Sequence, residues 1–92
     1  MQIVWTQNAI DCLVSIWEYI QSEHSISADD VRRRILDAPK RLSDFPDSGR
    51  YGIEPKTREV VVSGLPYVIV YRVRNGSVEI LSVWHDAQSR LN

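Results

Sequence analysis

The sequence has a single cysteine, Cys12, and no apolar run approaching the roughly 20 residues that a membrane-spanning helix requires. A lone cysteine cannot form an internal disulfide, and an unpaired thiol is typical of a reducing compartment. The first residues also lack the basic and apolar regions of a signal peptide. We therefore expect a cytoplasmic protein with no membrane partner.

A large basic excess is absent as well, because the net charge is −1 and the isoelectric point is about 6.1. A protein that binds nucleic acid mainly through its phosphates usually has such an excess, so we expect no direct sequence-specific binding to nucleic acid. The charge is nevertheless uneven. Residues 1–30 carry −5, residues 31–49 carry +2, residues 50–74 carry +3 and residues 75–92 carry −1. The basic segment is therefore where an acidic partner is expected.

Internal repeats and low-complexity tracts are also missing from the sequence. The 92 residues provide for one sheet and about two helices around one core. We expect a single domain that spans residues 1–92.

Two amphipathic helices are predicted in the first half of the chain. A short edge strand at Ile3–Trp5 precedes Thr6, whose hydroxyl is a candidate N-cap for a helix that ends near Gln21–Ser25. A second helix begins after Ser27, and Pro39 is expected to kink it or restart it because proline lacks a backbone N–H. The expected core residues of the strand and first helix are Trp5, Ala9, Leu13, Ile16, Trp17 and Ile20.

The second half of the chain predicts a meander of three antiparallel strands. Two β-rich runs flank a turn at Gly64, and Asn75–Gly76 favours a type I′ connection to a last strand at Val78–Trp84. Along the middle strand one face is apolar, whereas the other becomes basic at Arg72 and Arg74. Because both helices precede the meander, we expect them to cover one face of the sheet and to leave the other for a partner.

Several short motifs accompany this order of elements. They are Thr6 and Ala9, Gly49-Arg50, Thr57-Arg58-Glu59, the run from Pro66 to Tyr71, and Val83 with His85. Together they resemble the RelE/ParE toxin superfamily of bacterial type II toxin-antitoxin modules, and most of all its ParE branch. The resemblance covers nearly the whole chain and implies an α+β fold in the order β-α-α-β-β-β, with the helices on one face of the sheet.

The resemblance also implies a cognate antitoxin and one of two activities. ParE-type members inhibit DNA gyrase by binding, whereas RelE-type members cleave mRNA on the ribosome. We expect the first, with no chemistry of its own, no cofactor and no metal. The alternatives are a ribosome-dependent mRNA interferase and a degenerate toxin that only binds antitoxin. The antitoxin is expected to be ParD-like, acidic and partly disordered, because arginines border the open sheet face.

The candidate site residues depend on which activity is present. For an interferase, Arg58 and Arg74 would bind the phosphate and His85 would transfer a proton, with Glu54 or Tyr71 as partners. The same histidine is equally compatible with a structural role at the end of its strand. The candidate partner-binding residues are Arg50, Tyr51, Arg58, Arg72, Arg74 and Arg90. Among the aromatic side chains, Tyr51 is expected to be the most exposed.

Two of these arginines also have structural interpretations. Arg50 follows a glycine and is expected to tie its loop to backbone carbonyls or to Glu54. Arg58 has a possible cross-strand partner in Glu79.

The end of the chain departs from the family pattern. Gln88 stands three positions after His85, where family members commonly carry a basic residue. We therefore expect activity to be weakened or to be carried by Arg90.

Overall fold

Residues 1–23 and 27–86 are described by the computed structural model and form an open sheet with helices on one face. The elements are β1 (Gln2–Trp5), α1 (Gln7–Glu23), α2 (Ala28–Asp37), a 3₁₀ helix (Ala38–Ser43), β2 (Arg50–Tyr51), β3 (Arg58–Val61), β4 (Tyr67–Arg74) and β5 (Ser77–His85). The predicted α+β fold is confirmed, with β2 as an additional short strand. Within the described ranges, neither helix is long and apolar enough to cross a membrane.

The five strands are ordered β1-β5-β4-β3-β2 across the sheet. β1 pairs in parallel with β5, whereas all other neighbours are antiparallel. The expected position of β1 at an edge is therefore confirmed. Asn75 and Gly76 both have positive φ, at 54° and 75°, as a type I′ turn between β4 and β5 requires.

A β-bulge interrupts the pairing of the two longest strands. The register shifts between Val70 and Tyr71, so that Leu81 of β5 is an extra residue without an opposite partner in β4. The Leu81 carbonyl accepts hydrogen bonds from Asn8 Nδ2 at 2.8 Å and from Thr6 Oγ1 at 3.4 Å. The junction between β1 and α1 thus stabilises the bulge. Because the bulge adds one residue to β5, it changes which side chains of this strand face the helices.

Both helices begin where the sequence predicts. The amide of Ala9 donates to Thr6 Oγ1 at 3.3 Å, and the amide of Asp30 donates to Ser27 Oγ at 3.2 Å. The predicted break at Pro39 is also confirmed, because α2 ends and the 3₁₀ helix begins immediately before it.

The core lies between the helices and one face of the sheet. The fully or nearly buried residues that form it are Ala9, Leu13, Ile20, Val31, Ile35, Leu42, Val60, Val62, Tyr67, Ile69, Tyr71, Val78, Ile80 and Val83. Trp5 packs against this core as expected. The expectation that Trp17 lies in the core is wrong: it is half-buried and its indole Nε1 donates to Asp29 Oδ1 at 3.1 Å. An indole N–H needs a polar partner, which the edge of α2 supplies.

The opposite face of the sheet is called the open face below. Its residues alternate with those that face the helices, and the strand register groups them. They are Arg50, Glu59, Val61, Val68, Val70, Arg72, Arg74, Glu79, Ser82 and Trp84. The predicted division into an apolar helix-facing side and a side that becomes basic is therefore present in the fold.

Candidate partner-binding site

Two arginines of the open face converge on one glutamate. Arg72 Nε donates to Glu79 Oε1 at 2.6 Å, and Arg74 Nε lies 3.8 Å from the same oxygen. The hydrogen bond from Arg72 holds the pKa of the Glu79 carboxyl below its ordinary value, so the glutamate is charged at neutral pH. The two arginine side chains remain 37% and 56% exposed. Both guanidinium groups are therefore accessible to a further anion.

Arg50 forms a second ion pair on the same face. Its Nε donates to Glu59 Oε1 at 3.1 Å, and the glutamate side chain is only 3% exposed. The expected tie to Glu54 is wrong, because the pairing of β2 with β3 places Glu59 directly opposite Arg50. With Arg72, Arg74 and Glu79, the open face therefore holds three arginines against two glutamates.

Arg58 belongs to the other side of the sheet. It lies opposite Tyr71, which faces the helices, whereas Glu79 lies on the open face. The expected pairing of Arg58 with Glu79 is therefore wrong. Arg58 Nη1 instead donates to the carbonyls of Asp47 at 3.1 Å and Gly49 at 2.9 Å. This arginine holds the loop before β2 in place.

Tyr71 also binds the loop before β2. Its hydroxyl donates to the carbonyl of Pro46 at 2.7 Å and accepts from the amide of Gly49 at 3.0 Å. A Cβ on Gly49 would lie 2.5 Å from this hydroxyl and 2.9 Å from the carbonyl of Glu59, so only glycine fits. Burial raises the pKa of the Tyr71 hydroxyl, which keeps it protonated and able to donate.

Tyr51 is the most exposed of the large apolar and aromatic side chains in the described residues, at 82%. This confirms the expectation from sequence. Its ring lies 4.6 Å from the guanidinium carbon of Arg58, which is within the range of a cation–π contact. Phe45 and Ile53 are also exposed, at 65% and 52%. Phe45, Tyr51 and Ile53 are called the loop surface below.

Phe45 and Ile53 are not among the candidate residues that the sequence predicts. The available signal was their position among glycine, proline and charged residues, where neither a helical nor an alternating pattern would bury them. An apolar residue in such a segment is expected to be exposed unless a distant element covers it.

His85 ends β5 opposite Tyr67. The two rings are perpendicular, with an interplanar angle of 84° and centroids 5.4 Å apart. They border a groove of about 810 Å³ between α1 and the end of β5, which Cys12 and Ile16 also line. The contact with Tyr67 is compatible with a structural role for the imidazole.

The three residues considered for an interferase do not converge. His85 lies opposite Tyr67, and Arg74 is seven residues further along β4, which is about 23 Å at the usual rise of a strand. Arg58, opposite Tyr71, is about 13 Å along the sheet from the histidine by the same rise. Its side chain also points to the face opposite that of Arg74.

Two other expectations fall outside the described residues, namely those for Gln88 and Arg90. Among residues 1–23 and 27–86, no group of three or more His, Cys, Asp and Glu side chains is placed to hold a metal ion.

Comparisons with known proteins agree with this architecture. A family model for the ParE toxin of the type II toxin-antitoxin system parDE matches residues 3–90. A Sinorhizobium fredii (strain NBRC 101917 / NGR234) protein named "Putative toxin Y4kP" is 40% identical over 87 residues, which cover 95% of this chain and 90% of that protein. Toxin RelE2 of Caulobacter vibrioides (strain ATCC 19089 / CIP 103742 / CB 15) is 34% identical over 87 residues, which cover 95% of this chain and 97% of that protein.

A solved structure shares the fold. A chain of the chromosomal ParDE TA system from P. aeruginosa matches with a TM-score of 0.82 at 22% identity, covering 92% of this chain and 95% of that chain. The match of the family model to almost the whole sequence is the strongest of these findings, and the two relatives at 34% and 40% identity agree with it. The chain therefore belongs to the ParE toxin family of type II toxin-antitoxin systems, within the RelE/ParE superfamily.

Proposed function

We propose that this toxin acts by binding and inhibiting DNA gyrase in the cytoplasm, and that a ParD-like antitoxin neutralises it. The observation that carries the proposal is the match of residues 3–90 to the ParE toxin family. Gyrase inhibition is the activity that resemblance to the ParE branch implies.

The arrangement of the charged residues supports binding rather than catalysis. Cleavage of RNA through its own 2′-hydroxyl needs an acid, a base and cations around a single phosphate. Arg58 binds backbone carbonyls of its own loop, and Arg74 lies about 23 Å along the sheet from His85 by strand rise. A phosphate bound at either arginine would be out of reach of the imidazole.

The open face supports an acidic, partly disordered antitoxin segment as the neutralising partner. Arg50, Arg72 and Arg74 are 37–56% exposed, and they exceed the two glutamates of this face by one positive charge. Val61, two residues after Glu59 on the same face, is 52% exposed and offers apolar contact. A segment that folds on binding gains both charge pairing and apolar burial here.

Charge reversal tests the antitoxin proposal. The double variant Arg72→Glu with Arg74→Glu is expected to weaken antitoxin binding about tenfold or more, because an acidic segment would then be repelled. Arg33→Glu is the matched control, since Arg33 is also 63% exposed and ion-paired but lies on α2. The affinity of each variant for the antitoxin is measured by calorimetry. Equal affinities of the double variant and the control would contradict the proposal that an acidic segment binds the open face.

The gyrase proposal is tested by a supercoiling assay with purified gyrase and the antitoxin-free toxin, run beside an in vitro translation reaction probed for mRNA cuts. Inhibited supercoiling with intact mRNA is the expected result. Cut mRNA with unaffected supercoiling would refute the proposal.

A ribosome-dependent mRNA interferase is the alternative function. Two observations favour it: the relative at 34% identity carries the name Toxin RelE2, and His85 borders a groove at the end of β5. If mRNA is cut, loss of the cuts in His85→Ala would assign proton transfer to this residue. If neither assay responds while the antitoxin still binds, the chain is a degenerate toxin.

A further inference from the structure

The loop surface of Phe45, Tyr51 and Ile53 lies apart from the sites described so far. The three side chains are 65%, 82% and 52% exposed. Tyr51 stands opposite Arg58 in the β2–β3 ladder and therefore points away from the open face. The surface is also distinct from the groove at His85, which α1 and the end of β5 form.

Because these three side chains are exposed, the fold does not gain the stabilisation that their burial would provide. Burial of a large apolar side chain normally stabilises a folded protein, because it removes apolar surface from water. Three large side chains exposed within nine residues of the chain exceed the singly scattered apolar residues of an ordinary surface, and such a concentration is typical of an interaction site. Tyrosine and arginine are also the residues that most often dominate binding energy at protein interfaces.

Hydrogen bonds hold the backbone around Tyr51. Arg58 binds the carbonyls of Asp47 and Gly49 and stacks on the Tyr51 ring. On the other side of Tyr51, the amide of Gly52 donates to the carbonyl of Thr57 at 2.8 Å and closes the β2–β3 loop. A surface already ordered in the free protein loses little conformational entropy on binding.

The charges around the loop surface indicate the class of its partner. Apart from Arg50 and Glu59, which pair with each other on the open face, residues 44–59 contain Asp44, Asp47 and Glu54 against Lys56 and Arg58, which gives −1. A phosphate backbone would find no basic excess here, so a nucleic acid is disfavoured. Arg50 is also already paired with Glu59. An apolar pocket with a basic rim, on a folded protein, complements both the aromatic side chains and the negative charge.

We propose that Phe45, Tyr51 and Ile53 form the surface through which the toxin engages its target. The target site is an apolar pocket with a basic rim on a folded protein, and the antitoxin occupies the separate open face. The identity of that protein as gyrase rests on the function proposed above, but the location and chemistry of the surface do not.

The test compares growth arrest on induced expression with gyrase inhibition by the purified chain. Phe45→Ala with Tyr51→Ala is expected to weaken both effects about 30-fold or more, as loss of two interface anchors does. The control double variant is Val14→Ala with Val73→Ala, whose side chains are 49% and 40% exposed on other surfaces. Thermal unfolding checks that every variant is folded.

Each outcome decides between the proposals. Full growth arrest by the folded Phe45→Ala/Tyr51→Ala variant would overturn the loop surface as the target site, whatever the target is. If the unaltered chain arrests growth without inhibiting gyrase, gyrase is refuted as the target but the loop surface is not. The double variant then still tests whether the loop surface binds the target. Binding of a single-stranded RNA oligonucleotide that the double variant abolishes would overturn a protein as the occupant. Absence of arrest by the unaltered chain would overturn both proposals.

Discussion

At the scale of single residues, Arg58 and Tyr71 show how a functional candidate can have a structural role. Both belong to motifs that suggest phosphate chemistry, yet in the fold both bind the backbone of the loop before β2. The guanidinium has two carbonyl partners and the hydroxyl has one donor and one acceptor. Their hydrogen-bonding capacity is therefore directed at the loop before β2, and Arg58 also stacks against the ring of Tyr51.

Removing the Tyr71 hydroxyl should destabilise the protein. Tyr71→Phe leaves the amide of Gly49 and the carbonyl of Pro46 without their partner, and unpaired buried polar groups cost about 1–3 kcal/mol. Urea unfolding at pH 7 measures the change. Tyr19→Phe is the control, because Tyr19 is 59% exposed. Equal stabilities of the two variants would show that the hydroxyl does not hold the loop.

Because of the Tyr71 hydroxyl, the protein is also expected to lose stability in alkaline solution. Burial raises the pKa of Tyr71 above its ordinary value of 10.0, so the folded state retains this proton better than the unfolded state does. Its contribution is complete below pH 10 and is lost as the pH rises through the raised pKa, by at most about 1.4 kcal/mol per pH unit. Unfolding free energies between pH 9 and 11 should fall less steeply in Tyr71→Phe. A residual slope is expected, because burial also raises the pKa of Tyr67. Identical slopes would contradict the assignment.

At the scale of elements, β2 depends on a single glycine. Gly49→Ala would place a Cβ against Tyr71 and against the carbonyl of Glu59, and such overpacking costs about 1–3 kcal/mol. The matched control is Gly76→Ala, whose Cβ meets no atom within 4 Å and whose cost is strain at a φ of 75°. Hydrogen exchange of the Gly52 amide should accelerate more in Gly49→Ala than in the control. Unchanged exchange would mean that β2 tolerates the methyl group.

The elements that sequence predicted are those that local patterns specify. The helix at Thr6, the break at Pro39 and the turn at Asn75–Gly76 each depend on residues close together in the chain. β2 was missed because two residues are too short for an alternating pattern.

The partners of the charged residues, in contrast, are determined by the register in which the strands pair. Arg50 pairs with Glu59 rather than Glu54, and Arg58 faces away from Glu79, because strand pairing decides which side chains are neighbours. The bulge at Leu81 further sets the face on which Glu79 lies. Sequence could therefore predict which residues are candidates for the site, but not how they are grouped.

At the scale of the whole molecule, the two proposed surfaces should be separable by mutation. Phe45→Ala with Tyr51→Ala is expected to lose toxicity while binding the antitoxin with unchanged affinity. Arg72→Glu with Arg74→Glu should show the reverse, because these arginines lie on the open face whereas Tyr51 of the loop surface points to the other side of the sheet. Growth assays with and without coexpressed antitoxin, together with calorimetry, measure both effects. Loss of both functions in either folded variant would indicate one shared surface.

The most direct test of action by binding is the molar ratio at which the toxin works. A toxin that inhibits gyrase by occupying it should abolish supercoiling only as the toxin approaches the concentration of gyrase, and no covalent change in either protein should accompany inhibition. The measurement is a titration of toxin into a fixed concentration of gyrase well above the dissociation constant, beside the same titration into a translation reaction. The account predicts saturation near equimolar toxin, with intact mRNA. Complete mRNA cleavage at a small fraction of equimolar toxin, with gyrase still active, would contradict it.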